Sequence, residues 1–510
     1  MNKKNKLDVL FINPDSSSKA YQGLSAQFSA IETPTWSLLL AQSCRSKGFT
    51  VSILDCGAEN ISLEDSFTRI VNLNPRLICF VVYGQNPNSG TTNMIGAREL
   101  SIFLKKNGIK TKIAYVGSHV SALPKEVLSN DDVDIVLLNE GVYALHNLLS
   151  SDMECDLKNV RGIGFKTKEG ALKLNLPEKL VPLAKMDTDL PGYAWDLLPY
   201  KEKPLDLYRA HFWHAEFNFN KRVPFAAIYT SLGCLFKCDF CMINILNRVN
   251  NDETSVASSF SGMRFWSTEF ILTEFDKLNK YGVKSVRLSD EMFFLNKRYF
   301  EPLIDSLITR EYGFRMWSYS RVDTVKPLYL EKFKKAGINW LALGVEAANQ
   351  EVRKEVSKGT FKDVNIRQVC KDIRNSGINV ISNYIFGFPD DTKDTMKQTL
   401  DLALELNTEM ANMYPCQALP GSPLYRAAIT NNWELPTSYE GYAFLSYETK
   451  PLPTKHVSAK DVLAFRDQAW QVYFSSKRYL DLVERKFGSV QKDNVVAMSK
   501  IKLRRRLLEE

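Results

Sequence analysis

No apolar run in the 510 residues reaches the ~18–20 needed to span a bilayer, so no transmembrane helix is expected. A signal-peptide apolar region is missing too. The start, Met1-Asn2-Lys3-Lys4-Asn5-Lys6-Leu7-Asp8, is basic, meets an acid at once and runs into a short strand. Charge of one sign is not in excess. The 66 Lys and Arg against 58 Asp and Glu leave +8, which suits an anionic ligand or a modest basic patch and excludes a dedicated nucleic-acid binder. Nine Cys, an odd number spread over a long chain, exclude a secreted disulfide framework. No Ser-His-Asp or Cys-His arrangement is readable, and there is no phosphate-binding loop of the P-loop type. The absence of a peptide-recognition or RNA-binding module favours a small-molecule substrate. What is present is 45% hydrophobic and 24% charged, ordinary globular composition. The length allows two to four domains of ~100–200 residues each.

The first 150 residues alternate strand and helix. Strands are expected at 7–12, 49–54, 77–82, 112–116 and 134–138, with helices at 36–47 and 93–106 between them. Leu77-Ile78-Cys79-Phe80-Val81-Val82 is apolar throughout, as a strand covered on both faces should be. The alternation implies a doubly wound parallel sheet, which binds ligands at the carboxyl ends of its strands. Those ends carry Asn13, Pro14, Tyr83, Gly84, Gln85, Gly117, Ser118, His119, Glu140 and Gly141. Residues 151–222 read as a connector rich in aromatics, among them Trp195, Trp213 and Phe217, which either pack an interface or wall a cavity.

A second alternation fills 223–425. Six strand–helix units occupy about 200 residues, and Gly282, Gly337 and Gly377 follow helices as left-handed C-caps do. A full eight-unit barrel needs ~250 residues, so six units suit a partial, open (β/α)6 barrel of the TIM-like kind. Residues 426–510 are expected to be mostly helical, with Lys500 to Arg506 a solvated end.

Just after the first barrel strand stand Cys234, Cys238 and Cys241, at spacings of four and three. Barrel enzymes place their sites at that end of the strands. A four-iron cluster is normally held by four Cys; three leave one iron open to a substrate or cofactor. A zinc site would want a fourth Cys or His near by. The nearest downstream Cys is Cys370, and no His follows until His456. Coincidentally buried Cys are the remaining alternative.

The Cys-x3-Cys-x2-Cys triplet, with Phe240 before its last Cys, resembles the signature of radical S-adenosylmethionine (SAM) enzymes. So do Ser289-Asp290-Glu291, Ser320-Arg321, Gly344-Val345-Glu346, Asn383-Tyr384-Ile385-Phe386-Gly387 and Leu419-Pro420-Gly421, in that order. The fifth-strand pattern departs at both ends, with Asn383 for a Gly and Asp390 for a Glu. Tyr115 to Pro124, Asn139-Glu140-Gly141 and Leu190-Pro191-Gly192 resemble the cobalamin-binding subclass. The resemblance implies a cobalamin-binding domain over 1–150, a connector over 151–222, a radical SAM core over 223–425 and a helical region over 426–510. It implies three cofactors: a [4Fe–4S] cluster on Cys234, Cys238 and Cys241, SAM, and cobalamin. SAM would be met by Phe240, Asp290, Arg321, Glu346, Asn383, Gly387 and Asp390, with Arg321 paired either to the SAM carboxylate or to Glu346. Asp290 and Glu291 are adjacent, so at most one of them faces the ligand. His119 lacks the Asp-x-His-x-x-Gly flanks of a cobalt ligand; it is expected near the nucleotide tail of cobalamin or packed in the core. The implied activity is methyl transfer by way of methylcobalamin to an unactivated carbon or phosphorus of a small molecule. The alternatives are a non-methylating cyclase, oxidase or rearrangement enzyme, and a non-catalytic protein with a degenerate barrel, which the intact triplet disfavours. An electron donor such as flavodoxin or ferredoxin and a cytoplasmic setting, suited to an oxygen-sensitive cluster, complete the expectations.

Overall fold

The structure, a computed structural model, describes residues 7–84, 86–153, 156–198, 207–211, 224–354, 356 and 364–510. Strand β1 (Val9–Asn13) pairs in parallel with β2 (Val51–Asp55) and β3 (Leu77–Val81); β4 (Lys112–Val116) and β5 (Ile135–Leu137) extend the sheet in parallel. Side chains alternate along each strand. Val9 and Phe11 enter one core while Leu10 and Ile12 enter the other, so both faces are covered. Two strands in the stretch expected to be connector, β6 (Ile163–Lys166) and β7 (Leu172–Leu174), add antiparallel to the edge, giving the order β2-β1-β3-β4-β5-β6-β7.

The second sheet is wholly parallel, in the order β15-β14-β13-β12-β11-β8. Its strands are β8 (Phe225–Ile228), β11 (Ser285–Leu288), β12 (Arg315–Arg321), β13 (Ile338–Glu346), β14 (Asn379–Phe386) and β15 (Met410–Pro415). Helices Thr268–Lys280, Lys297–Arg310, Pro327–Lys335, Ile366–Asn375 and Lys393–Leu406 link them. This is the six-stranded partial barrel that the alternation predicts. Between β8 and β11 lies an antiparallel pair, β9 (Ser231–Cys234) and β10 (Gly262–Phe265), in place of the single longer strand and loop expected there.

One apolar cluster runs without a break from Val9 in the first sheet, through the connector, into the barrel and the C-terminal helices as far as Met498. In the connector, Tyr193 donates to the Tyr229 carbonyl at 2.8 Å and Trp195 to Glu274 at 2.8 Å. Gly192 has φ +85, and a Cβ there would collide with Glu274. Trp195 therefore packs the interface. Trp213 and Phe217 lie outside the described residues. Among the described residues, no helix is long and apolar enough to cross a membrane.

Candidate active site

A single cavity of about 1350 Å³ opens between the carboxyl ends of β1–β3 and the mouth of the barrel. Ordinary small-molecule pockets hold ~300–1,000 Å³, so there is room for more than one ligand. All three triplet cysteines line it, with Phe240, Arg321, Glu346 and Asn383 from the barrel and Asn13, Pro14, Tyr83 and Gly84 from the first sheet.

The cysteine loop is shaped by its own backbone. Cys234 closes β9, and Asn244 clamps it by accepting from the Cys234 amide at 3.2 Å and donating to its carbonyl at 2.8 Å. The Cys241 amide donates to the Cys238 carbonyl at 3.0 Å, which makes the turn between them. Burial pushes the Cys234 thiol up to about 12 and raises the Cys241 thiol as well. Buried thiols of this kind ionise only against a strong positive charge, such as bound iron. A protein cation, Arg321, lies beside them: its Nη1 is 4.0 Å from Cys238 Sγ and its guanidinium sits 3.8 Å over the Phe236 ring.

Arg321 is anchored close to its own strand end. Its Nε and Nη2 pair with Asp323 at 2.9 Å each, two residues on. Glu346 ends β13 at a register shift, with φ +66, a costly backbone for a residue with a side chain. Asn383 donates to the Leu343 carbonyl at 3.1 Å and accepts from Asn412 at 2.9 Å. Phe240 packs on Phe388, ring centroids 5.5 Å apart.

Several expected contacts lie elsewhere. Asp290 is fully buried and accepts from the Thr230 amide at 2.8 Å, the Thr230 hydroxyl at 2.7 Å and the Ser231 hydroxyl at 2.5 Å; Glu291 faces the cavity instead. Asp390 pairs with Lys455, and it is Asp391 that takes the amides of Gly387 and Phe388 at 3.0 Å. Gly387 is absent from the cavity wall because it packs under Val462. Gly117, Ser118, His119, Glu140 and Gly141 do not line the cavity either, since the ends of β4 and β5 dock the barrel. Asn139 exchanges hydrogen bonds with the Arg248 backbone at 2.8 and 3.0 Å, Arg248 donates to the Ser121 carbonyl at 2.6 Å, and Glu140 pairs with Arg264 at 2.7 Å. His119 is core-packed, with Nδ1 at 3.0 Å from the Thr91 hydroxyl and Nε2 at 2.9 Å from Glu126. Gln85 lies outside the described residues.

Residues 228–403 match the model of the radical SAM superfamily, and residues 21–149 match the B12 binding domain. The chain is a cobalamin-binding radical SAM enzyme. Its cofactors are accordingly a [4Fe–4S] cluster, SAM and cobalamin. This radical SAM enzyme is 24% identical to an uncharacterized methyltransferase of Pyrococcus horikoshii, over 84% of this chain and 85% of that one. It is also 24% identical to the anaerobic magnesium-protoporphyrin IX monomethyl ester cyclase of Rubrivivax gelatinosus, over 87% of this chain and 73% of that one. The fold is that of the methyltransferase TsrM from Kitasatospora setae, with a TM-score of 0.64 at 14% identity over 97% and 99% of the two chains. OxsB, a cobalamin-dependent SAM radical enzyme, superposes with a TM-score of 0.65 at 15% identity, over 96% of this chain and 70% of that one.

The residues present fit these groups. Among the described residues no three His, Cys, Asp or Glu side chains converge on one ion. A cluster does not require convergence, because each thiolate meets a different iron. The cavity joins the strand ends of the first sheet to the triplet.

Cavity residues that the sequence did not single out come from distant segments. The loop after β1 crosses the barrel mouth: Thr33 accepts from the Ala227 amide at 3.0 Å, and Glu32 pairs with the buried Arg287. Arg287 lies 4.8 Å from the Trp317 ring centroid and 5.2 Å from that of Tyr319. Glu291 is pushed up to about 7 by burial, and its Oε1 has no hydrogen-bond partner. The acid pair 290–291 signalled one inward carboxyl; Asp290 was expected to be that one, and it is Glu291 that faces the cavity.

Proposed function

We propose that this radical SAM enzyme is a methyltransferase that delivers a methyl group to an unactivated carbon, or a phosphorus, of a small molecule. The observation that carries this reading is the shared cavity, which puts the strand ends of the cobalamin domain and the cysteine triplet around one volume. When bound, the cluster and SAM supply a 5′-deoxyadenosyl radical and cobalamin supplies the methyl group. The chain's own part is placement and exclusion of water. Cys234, Cys238 and Cys241 would hold the cluster. Arg321, fixed by Asp323, presents positive charge beside Cys238, suited to the SAM carboxylate. Glu346 and Asn383 offer acceptors at the barrel mouth for the SAM ribose or ammonium, and Phe240 shields the cluster edge. Asn13, Pro14, Tyr83 and Gly84 would floor the cobalamin seat; Tyr83 is held flat by Trp36, ring centroids 4.3 Å apart and 10° from parallel. Leu235, 55% exposed, and the exposed Lys237 mark the outer edge of the cluster loop, where an acidic electron carrier such as flavodoxin or ferredoxin can approach.

The likeness to the magnesium-protoporphyrin cyclases over 87% of this chain favours a second reading, a non-methylating ring-forming reaction at the same site. One experiment separates the two. The anaerobically reconstituted enzyme is given methyl-deuterated SAM, a reductant and a small-molecule extract. Methyl transfer yields a labelled product with one S-adenosylhomocysteine and one 5′-deoxyadenosine. A product formed with 5′-deoxyadenosine but without label or S-adenosylhomocysteine overturns the methyltransferase reading in favour of the cyclase-like one.

A further inference from the structure

We propose that Asn88, a residue of the first domain, sets the reduction potential of the cluster by donating a hydrogen bond to Cys241. The inference rests on the reading that Cys234, Cys238 and Cys241 hold the cluster. Asn88 sits in the turn Pro87–Ser89, between the end of β3 and the helix Gly90–Lys106. That turn leaves the first sheet just past Tyr83 and Gly84 and reaches across the cavity to the cysteine loop, 153 residues away in sequence. Asn88 Nδ2 lies 3.6 Å from Cys241 Sγ, and Asn88 Oδ1 accepts from the Met242 amide at 3.0 Å.

The second contact fixes the first. A backbone N–H can only donate, so the oxygen of the Asn88 amide must face Met242, and its NH2 group must then face the sulfur. The turn itself is held from behind. Gly84 has φ +73, and a Cβ there would press into Ser89; a Cβ at Gly90 would collide with the Ser118 hydroxyl. The side chain thus comes from a packed element and not from a loose loop.

Hydrogen bonds to the sulfurs are among the factors that set an iron–sulfur potential. On reduction the cluster accepts one electron from its external donor, and the added negative charge falls partly on the ligating sulfurs. A donor at Cys241 stabilises the reduced form more than the oxidised one, so it raises the potential. Asn88 also lines the cavity, but the role assigned to it is that of a positioning and tuning group acting through Cys241.

The test is a redox titration of the full-length, anaerobically reconstituted enzyme, read by the paramagnetic signal of the reduced cluster. Asn88→Ala removes both contacts. Asn88→Asp keeps an acceptor for the Met242 amide but cannot donate to sulfur. Both variants are expected to bind iron as wild type does and to lower the reduction equilibrium constant about tenfold, a shift of about 59 mV for one electron. Asn88→Asp should shift at least as far, because it adds negative charge. Unchanged potentials in iron-replete variants overturn the proposal, as does a fall in Asn88→Ala alone, which would trace the effect to the Met242 contact. Should both variants fail to load iron, wild-type enzyme with side-chain 15N-labelled asparagine decides the matter. A nitrogen coupled to the reduced cluster supports the assignment, and none overturns it. Failure of the cluster reading itself looks different: wild type then shows no iron–sulfur charge-transfer absorption at all.

Discussion

Asp290 and Glu291 are neighbours with opposite surroundings. Asp290 gathers three donors; Glu291 has an orphan oxygen facing the cavity. Replacing Asp290 by Ala strands two hydroxyls and an amide, each lost partner costing about 1–3 kcal/mol. The urea midpoint should fall clearly. Glu291→Gln should leave that midpoint unchanged or higher while weakening SAM cleavage. A second residue-scale outcome concerns pH. Burial pushes Asp55 up to about 6, against about 3.9 in an unfolded chain, although Asn13 and Tyr208 donate to it at 2.8 and 3.0 Å. Between those two values the unfolded chain binds fewer protons than the folded one, so stability falls as pH rises. The penalty is absent below about pH 4 and complete above about 6. Asp55→Asn removes it, so the unfolding free energy of the variant from urea titration should gain on wild type between pH 4 and 6.5, by on the order of 3 kcal/mol. A difference independent of pH would contradict the argument. At this scale the cysteine triplet was legible because its spacing is local. Glu32, Arg287 and Asn88 were not, because only long-range topology brings them to the site.

The elements themselves were the most legible part. Periodicity and glycine C-caps located eleven parallel strands and the principal helices within a few residues of the observed bounds, since each signal is carried by adjacent residues. The helix Leu63–Leu73 was overlooked although Ser62 caps it, accepting from the Asp65 amide at 3.0 Å, and Asn74 closes it in the left-handed region. The β6–β7 hairpin was overlooked too, although Glu169-Gly170 between Ile163-Gly164-Phe165 and Leu172-Lys173-Leu174 is a turn between short alternating runs. Its strands have four and three residues, too few for periodicity to stand out. One element contact invites a direct test. The helix Gly90–Lys106 touches the loop after β1 at Gly96, where a Cβ would collide with the Asp15 carbonyl and backbone. Asn13, Pro14 and Asp15 all line the cavity. Gly96→Ala should cost about 1–3 kcal/mol in denaturant unfolding and loosen cobalamin retention on gel filtration. Cobalamin retention equal to wild type would show that the loop after β1 is not part of the seat.

At the scale of the whole molecule, the largest departure from expectation is the end of the sequence. Lys500 to Arg506 was expected to be a solvated helix end, yet Arg505 is 2% exposed. It pairs with Asp467 at 2.9 Å and donates to the Ser446 carbonyl at 2.8 Å and the Thr449 hydroxyl at 2.9 Å. A run of basic residues carries no sign of which one is to be buried; the partners come from two other segments. Gln22 donates to the Leu445 and Arg504 carbonyls at 2.7 and 3.2 Å, so the loop after β1 is tied to this strap. Ile501, Leu503 and Leu508 form part of the cavity wall. Arg505→Ala leaves Asp467 with Arg466 alone and removes the clasp, at about 3–5 kcal/mol for a broken buried pair. Arg505→Lys should restore little, because one ammonium cannot serve the same fork of acceptors. Thermal unfolding of both variants checks this, and near-complete rescue by Lys would argue against the fork.

Residues 501–508 come last in the chain among the described residues that wall the cavity. The triplet, the strand ends of the first sheet and the barrel mouth all precede the strap in the chain. Ligands in the cavity lie behind a wall that the clasp holds in place, so Arg505→Ala is expected to release cobalamin faster than wild type on gel filtration.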